Sequence, residues 1–96
     1  MKYLLGALLI AFSTSIAAQN FTISGSIKDN SNGEDIIGAT VMVKEIPGTG
    51  ATANVYGFYS LTIPKGTYTL VYSSIGYATI EKKIVLEQST KINIEL

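Results

Sequence analysis

Histidine, cysteine, arginine and tryptophan are all missing from this 96-residue chain, and its seven basic residues are all Lys. Each absence closes a branch of chemistry. Without His there is no imidazole general base and no histidine metal ligand. Without Cys there is no disulfide, thiolate nucleophile, zinc knuckle or lipid-bearing N-terminal cysteine. Without Arg there is no bidentate fork for carboxylate, phosphate or guanine. Seven Lys against seven acids give a formal net charge of zero, which argues against a nucleic-acid binder working through a basic face. The length suits one domain at most. What is left is a chain that binds, positions or connects, with no implied cofactor or metal.

What is present begins with an address. Met1-Lys2 is a short positive start, and Tyr3–Phe12 is an uncharged run of ten residues, mostly apolar. A small-residue stretch, Ser13 to Gln19, follows it. Small residues at the −3 and −1 positions fit signal-peptidase cleavage after Ala17, and less well after Gln19. The competing reading, a membrane anchor, wants about 20 apolar residues. The sequence therefore predicts a signal-peptide helix over 1–19 and an exported domain over 20–96 that does not itself span a membrane. Removal of Lys2 leaves that domain with six Lys and seven acids. A small exported domain without disulfides needs an efficient β core or a larger body to attach to.

From Phe21 onward the pattern is that of strands, with no helical period. Phe21, Ile23 and Ile27 alternate with Thr22, Ser24, Ser26 and Lys28. Further strands are expected at 39–44, 51–53, 58–63, 67–73, 78–86 and 91–96. Between them lie loop and turn residues: Asp29–Asp35, Pro47–Gly50, Asn54–Gly57, a hairpin turn at Pro64-Lys65-Gly66, Ser74–Tyr77 and Glu87–Thr90. The stretch Thr67–Ser73 is dense in β-branched and aromatic residues, as a central strand should be. Seven short strands with frequent turns predict a two-sheet antiparallel sandwich. An outer-membrane barrel needs at least eight strands of about 9–11 residues with an unbroken lipid-facing band. These strands are shorter, and Gly and Ser interrupt them.

Candidate sites are few. Counted as a calcium-binding loop from Asp29, the positions that need Gly and Glu hold Glu34 and Thr40, so Asp29–Asp35 reads as a solvated connector. Asn20-Phe21-Thr22 has the form of a glycosylation sequon, incidental in a bacterial-looking export product. No Ser-x-x-Lys pair occurs to activate a serine. Tyr68 and Tyr72 share a strand face with Leu70 and read as core. Tyr56 and Tyr77 flank turns, where an exposed ring could contact a partner.

Gly25-Ser26-Ile27-Lys28-Asp29, Ile36-Ile37-Gly38-Ala39-Thr40-Val41, Gly48-Thr49-Gly50, Tyr56-Gly57-Phe58-Tyr59-Ser60-Leu61 and Tyr68-Thr69-Leu70-Val71-Tyr72-Ser73-Ser74-Ile75-Gly76-Tyr77 form an ordered set. Together these strings resemble the carboxypeptidase-regulatory-like domain, whose most specific element is the closing S-x-x-G-Y. Gly38, Gly57 and Gly76 are the turn positions of that pattern. The resemblance covers about Phe21 to Leu96. It implies a seven-stranded antiparallel Greek-key β-sandwich of prealbumin type, without catalytic residues. Placed straight after a signal, it resembles the version at the N-terminus of SusC-like TonB-dependent outer-membrane receptors. That implies a periplasmic accessory domain with a protein partner, and the exposed edges of the expected sandwich are the obvious place for such contact, by β-addition. A receptor would continue into a plug and barrel, so the chain is expected to be a receptor fragment or a stand-alone module. An independent secreted glycan- or peptide-binding module is the alternative. Hydroxyisourate hydrolases share the prealbumin fold but depend on His and Arg, which this sequence lacks.

Overall fold

The computed structural model describes residues 19–96, so all of the signal-peptide reading but Gln19 lies outside the described residues. The strands, in order, are β1 (Asn20–Lys28), β2 (Thr40–Val43), β3 (Gly50–Thr52), β4 (Phe58–Pro64), β5 (Gly66–Ser73), β6 (Ile80–Leu86), β7 (Thr90–Lys91) and β8 (Ile94–Glu95). They form two sheets, one ordered β3-β2-β5-β6 and the other β4-β1 with β7 and β8 on the far side of β1. The architecture is the expected β-sandwich, and β5 is central in its sheet.

Alternation explains the core. On β4, Tyr59, Leu61 and Ile63 are buried while Phe58, Ser60, Thr62 and Pro64 face water. On β5, Tyr68, Leu70 and Tyr72 turn inward. Ile23 and Ile27 from β1, Val41 and Val43 from β2, and Leu86 from β6 fill the space between the sheets. Period-2 patterning places each set on one face. Burying such side chains contributes roughly 1.5–3 kcal/mol each.

Two expectations need correction. Pro64-Lys65-Gly66 is not a hairpin turn, because β4 pairs with β1 while β5 pairs with β2 and β6. The chain crosses there from one sheet to the other. Nor is the pairing antiparallel throughout: β7 and β8 both run parallel to β1. After β6 the chain crosses between sheets once more, at 87–89, and arrives beside β1 heading in the same direction.

The last strand breaks in two around Ile92 and Asn93, yet its register against β1 is the same on both sides of the break. Gly25 is the cause. A Cβ there would lie 1.9 Å from the Ile92 carbonyl oxygen, so only glycine lets that carbonyl turn inward. The Tyr59 hydroxyl donates to it at 2.7 Å. The Tyr72 hydroxyl must then donate to Tyr59, also at 2.7 Å. Both phenols are buried, pack edge to face with centroids 5.6 Å apart, and are pushed above their ordinary pKa chiefly by burial. With the Ile92 carbonyl turned away, the Asn93 side-chain oxygen accepts the Ser26 N–H at 3.0 Å.

Candidate functional site: the loop end of the sandwich

The registers put the connections β1–β2, β3–β4 and β5–β6 and the C-terminus at one end of the sandwich. Each loop is built by its own residues. Asp29 accepts from the Ser31 backbone N–H at 2.7 Å and from the Ser31 hydroxyl, and Asn32 accepts from the Glu34 N–H at 2.9 Å. These are Asx turns, the reason such residues favour loops. In the second loop Asn54 Oδ1 accepts the N–H groups of Tyr56 (2.9 Å) and Phe58 (3.1 Å). In the third, the Tyr77 N–H bonds the Ser74 carbonyl at 3.1 Å.

The loops also hold one another. The Gly38 N–H of the first loop bonds the Ala53 carbonyl of the second, and the Gly57 carbonyl of the second accepts the Ile27 N–H near the end of β1. Gly57 has φ +72°, and a Cβ there would stand 2.8 Å from the Ile27 carbonyl and 3.0 Å from Asp35 Cβ. Any other residue would push the first two loops apart. Gly38, Thr40, Ser73, Ser74 and Ile75 line a shallow hollow between the first and third loops. Tyr77 donates its hydroxyl to Asp29 Oδ2 at 2.6 Å, tying the third loop to the first. Ser31 first, then Tyr77, pull the Asp29 carboxyl down to about 2, and the same bond raises the Tyr77 phenol.

Of the residues singled out in the sequence, Gly38, Gly57 and Gly76 all lie at this end with positive φ. Tyr56 is there too, its ring 73% exposed. Tyr77 is half-buried and serves as the strut to Asp29. Sequence reasoning missed Ile37, Val55 and Ile75, which are 65%, 64% and 101% exposed. A local signal existed: Ile37, Tyr56 and Ile75 each stand immediately before a positive-φ glycine. An apolar residue at that place in a turn sits at its tip. With Phe58, the loop end holds five of the seven exposed large apolar residues among those described.

The free sheet edges offer less. Ile27 N to Gly57 O and Lys65 N to Gln19 O fix which β4 residues bond β1. Of the outward-facing residues, Phe58 exchanges bonds with Asn54, and the Pro64 carbonyl accepts from the Tyr68 hydroxyl at 2.7 Å. Ser60 and Thr62 alone are left to face a new strand. On β6, Lys82 stands opposite the buried Leu70, in the inward row with Ile80 and Ile84, yet remains exposed. A charge on the inner face of an edge strand opposes strand addition. No helix among the described residues is long and apolar enough to cross a membrane.

This is a small two-sheet β-sandwich whose turns carry most of the exposed large apolar groups among the described residues. A family model for the CarboxypepD_reg-like domain matches residues 23–96, and the chain belongs to that family. Among curated proteins no sequence matches it. A similar solved structure is a chain from the crystal structure of a type II cohesin–X-dockerin complex (a C-terminal interface mutant) from Acetivibrio cellulolyticus. It has a TM-score of 0.67 at 20% identity, over 77% of this chain and 52% of that one. The match thus spans about half of that chain's length and supports the sandwich fold.

Proposed function

We propose that this chain is a non-catalytic periplasmic accessory domain of a TonB-dependent outer-membrane receptor for nutrient uptake, exported by a signal peptide over residues 1–19, with protein contact as its task. The observation that carries the contact reading is the loop end, where Ile37, Val55, Tyr56 and Ile75 are exposed on hydrogen-bonded turns. Apolar side chains held out on rigid turns suit recognition, since little entropy is lost when they are covered. The likeness to a chain of a cohesin–X-dockerin complex supports the same reading. The receptor context rests on the resemblance and on the N-terminal address. The genomic sequence beyond codon 96 tests it: continuation into a plug and barrel is expected, and an isolated gene with its own terminator would overturn it. The exposed Tyr56 ring also suits a secreted glycan- or peptide-binding module, the second reading, which that isolated gene would favour.

A further inference from the structure

The loop end differs from the rest of the sandwich in charge as well as in apolar exposure. Asp29, Glu34, Asp35 and Glu95 belong to it, and Lys28 is its one basic residue among those described. That Lys already lies 3.8 Å from Asp35. The remaining Lys residues, Lys44, Lys65, Lys82, Lys83 and Lys91, lie along the strands and toward the opposite end, with Glu45, Glu81 and Glu87 among them. Ser31 and Tyr77 both donate to the Asp29 carboxylate, which favours its charged form.

An apolar pad with an acidic border selects its occupant. Apolar side chains of a partner gain by covering the pad, while charge around it sets orientation and encounter rate. An acidic segment, an anionic membrane or a nucleic acid would meet repulsion. A second copy docking head to tail would bring Lys residues, but Ile46 in the β2–β3 turn opposite packs against the core, and toward that end Val85 on β6 is a single comparably exposed apolar side chain among those described, against four in the pad.

We infer that the loop end docks a partner polypeptide segment whose apolar side chains are flanked by Lys or Arg, with Ile37, Val55, Tyr56 and Ile75 as the pad and Asp29, Glu34, Asp35 and Glu95 as its border. The inference rests on the contact reading above and adds the chemistry of the partner.

The test titrates the isotope-labelled chain with three peptides of equal length, built from Leu/Lys, Leu/Glu and Leu/Ser, and follows the backbone amides by NMR. The Leu/Lys peptide should shift amides of 35–38, 54–58 and 74–77. Its affinity should fall at least tenfold, roughly the loss of one interface anchor, in the double variant Tyr56→Ser, Ile75→Ser. It should also weaken about fivefold or more between about 50 and about 500 mM salt. Both side chains are exposed, so the variant should keep the urea midpoint of the parent chain. Equal binding of the Leu/Glu or Leu/Ser peptide, shifts centred on β6 or the opposite end, or an unchanged affinity in the double variant would each overturn the inference. So would dimerisation of the chain through these loops. A photo-crosslinking residue in place of Tyr56, expressed in the cell envelope, separates the two readings. A protein adduct beside a failed peptide titration leaves the contact reading standing and removes this one; no adduct removes the contact reading.

Discussion

The two sheets are built on different terms. The β3-β2-β5-β6 sheet is antiparallel throughout, and its rows follow from alternation. The sheet around β1 is mixed, and individual side chains complete it. Gly25 admits a carbonyl, Tyr59 donates to it and is itself held by Tyr72, Asn93 stands in for it, and the Ser89 hydroxyl accepts the Thr22 N–H at 3.0 Å. A regular ladder spreads its stability over many equivalent bonds, whereas a patched one concentrates it in a few residues. Substitutions around β1 should therefore cost more than their exposure suggests.

Gly25→Ala is the severest test. Its Cβ would collide with backbone, not with a side chain that could swing away, so a loss of about 3 kcal/mol is expected in urea unfolding. Hydrogen exchange should quicken first over 90–96. A loss below about 1 kcal/mol would mean that the last strand adapts and the comparison fails.

Next come the paired phenols. Tyr59→Phe removes both bonds and leaves the Ile92 carbonyl and Tyr72 hydroxyl unpaired, for about 2–3 kcal/mol. Tyr72→Phe leaves the Tyr59–Ile92 bond intact and should cost about 1 kcal/mol. The reverse ranking would refute the assigned donor order. Asn93→Ala should cost about 0.5–1 kcal/mol, because water reaches this exposed site. Asn93→Asp, which keeps the acceptor, should cost less.

The smallest effect belongs to the loop end. Asp29 titrates near 2 in the folded protein against about 3.9 in an unfolded chain. A depressed carboxylate contributes its stability above the unfolded value and loses it as pH falls through the folded one. The urea midpoint of the parent chain should drop between about pH 5 and about pH 2 by more than that of Asp29→Asn. Equal drops would remove Asp29 from the account.

The same contrast governs what the sequence disclosed. Thr67–Ser73 announced a central strand because its pattern is local and unbroken. The Asn54–Gly57 turn was equally plain, since Asn and Gly supply its chemistry within a few residues. Pro64-Lys65-Gly66 misled, because turn grammar bends the chain without saying whether the flanking strands pair. The parallel last strand was hidden for a related reason: its partner is β1, at the other end of the domain. Gly25 inside an alternating run was the available hint of a close backbone approach. The loop-end pad was hidden by composition, as Ile37, Val55 and Ile75 resemble core residues until the turns are seen to hold them outward.

The parallel pairing of β1 with β7 and β8 also has a mechanical side. Asn20 opens β1 at one end of the sandwich, and Leu96 lies at the other, where it donates to the Lys28 carbonyl and accepts from the Asn30 N–H. Tension between these two points draws neighbouring parallel strands in opposite directions along their common ladder. The load is shear, shared by the bonds along β1, instead of peeling them one after another. In series with other folded bodies, the sandwich would transmit a pull as a stiff link.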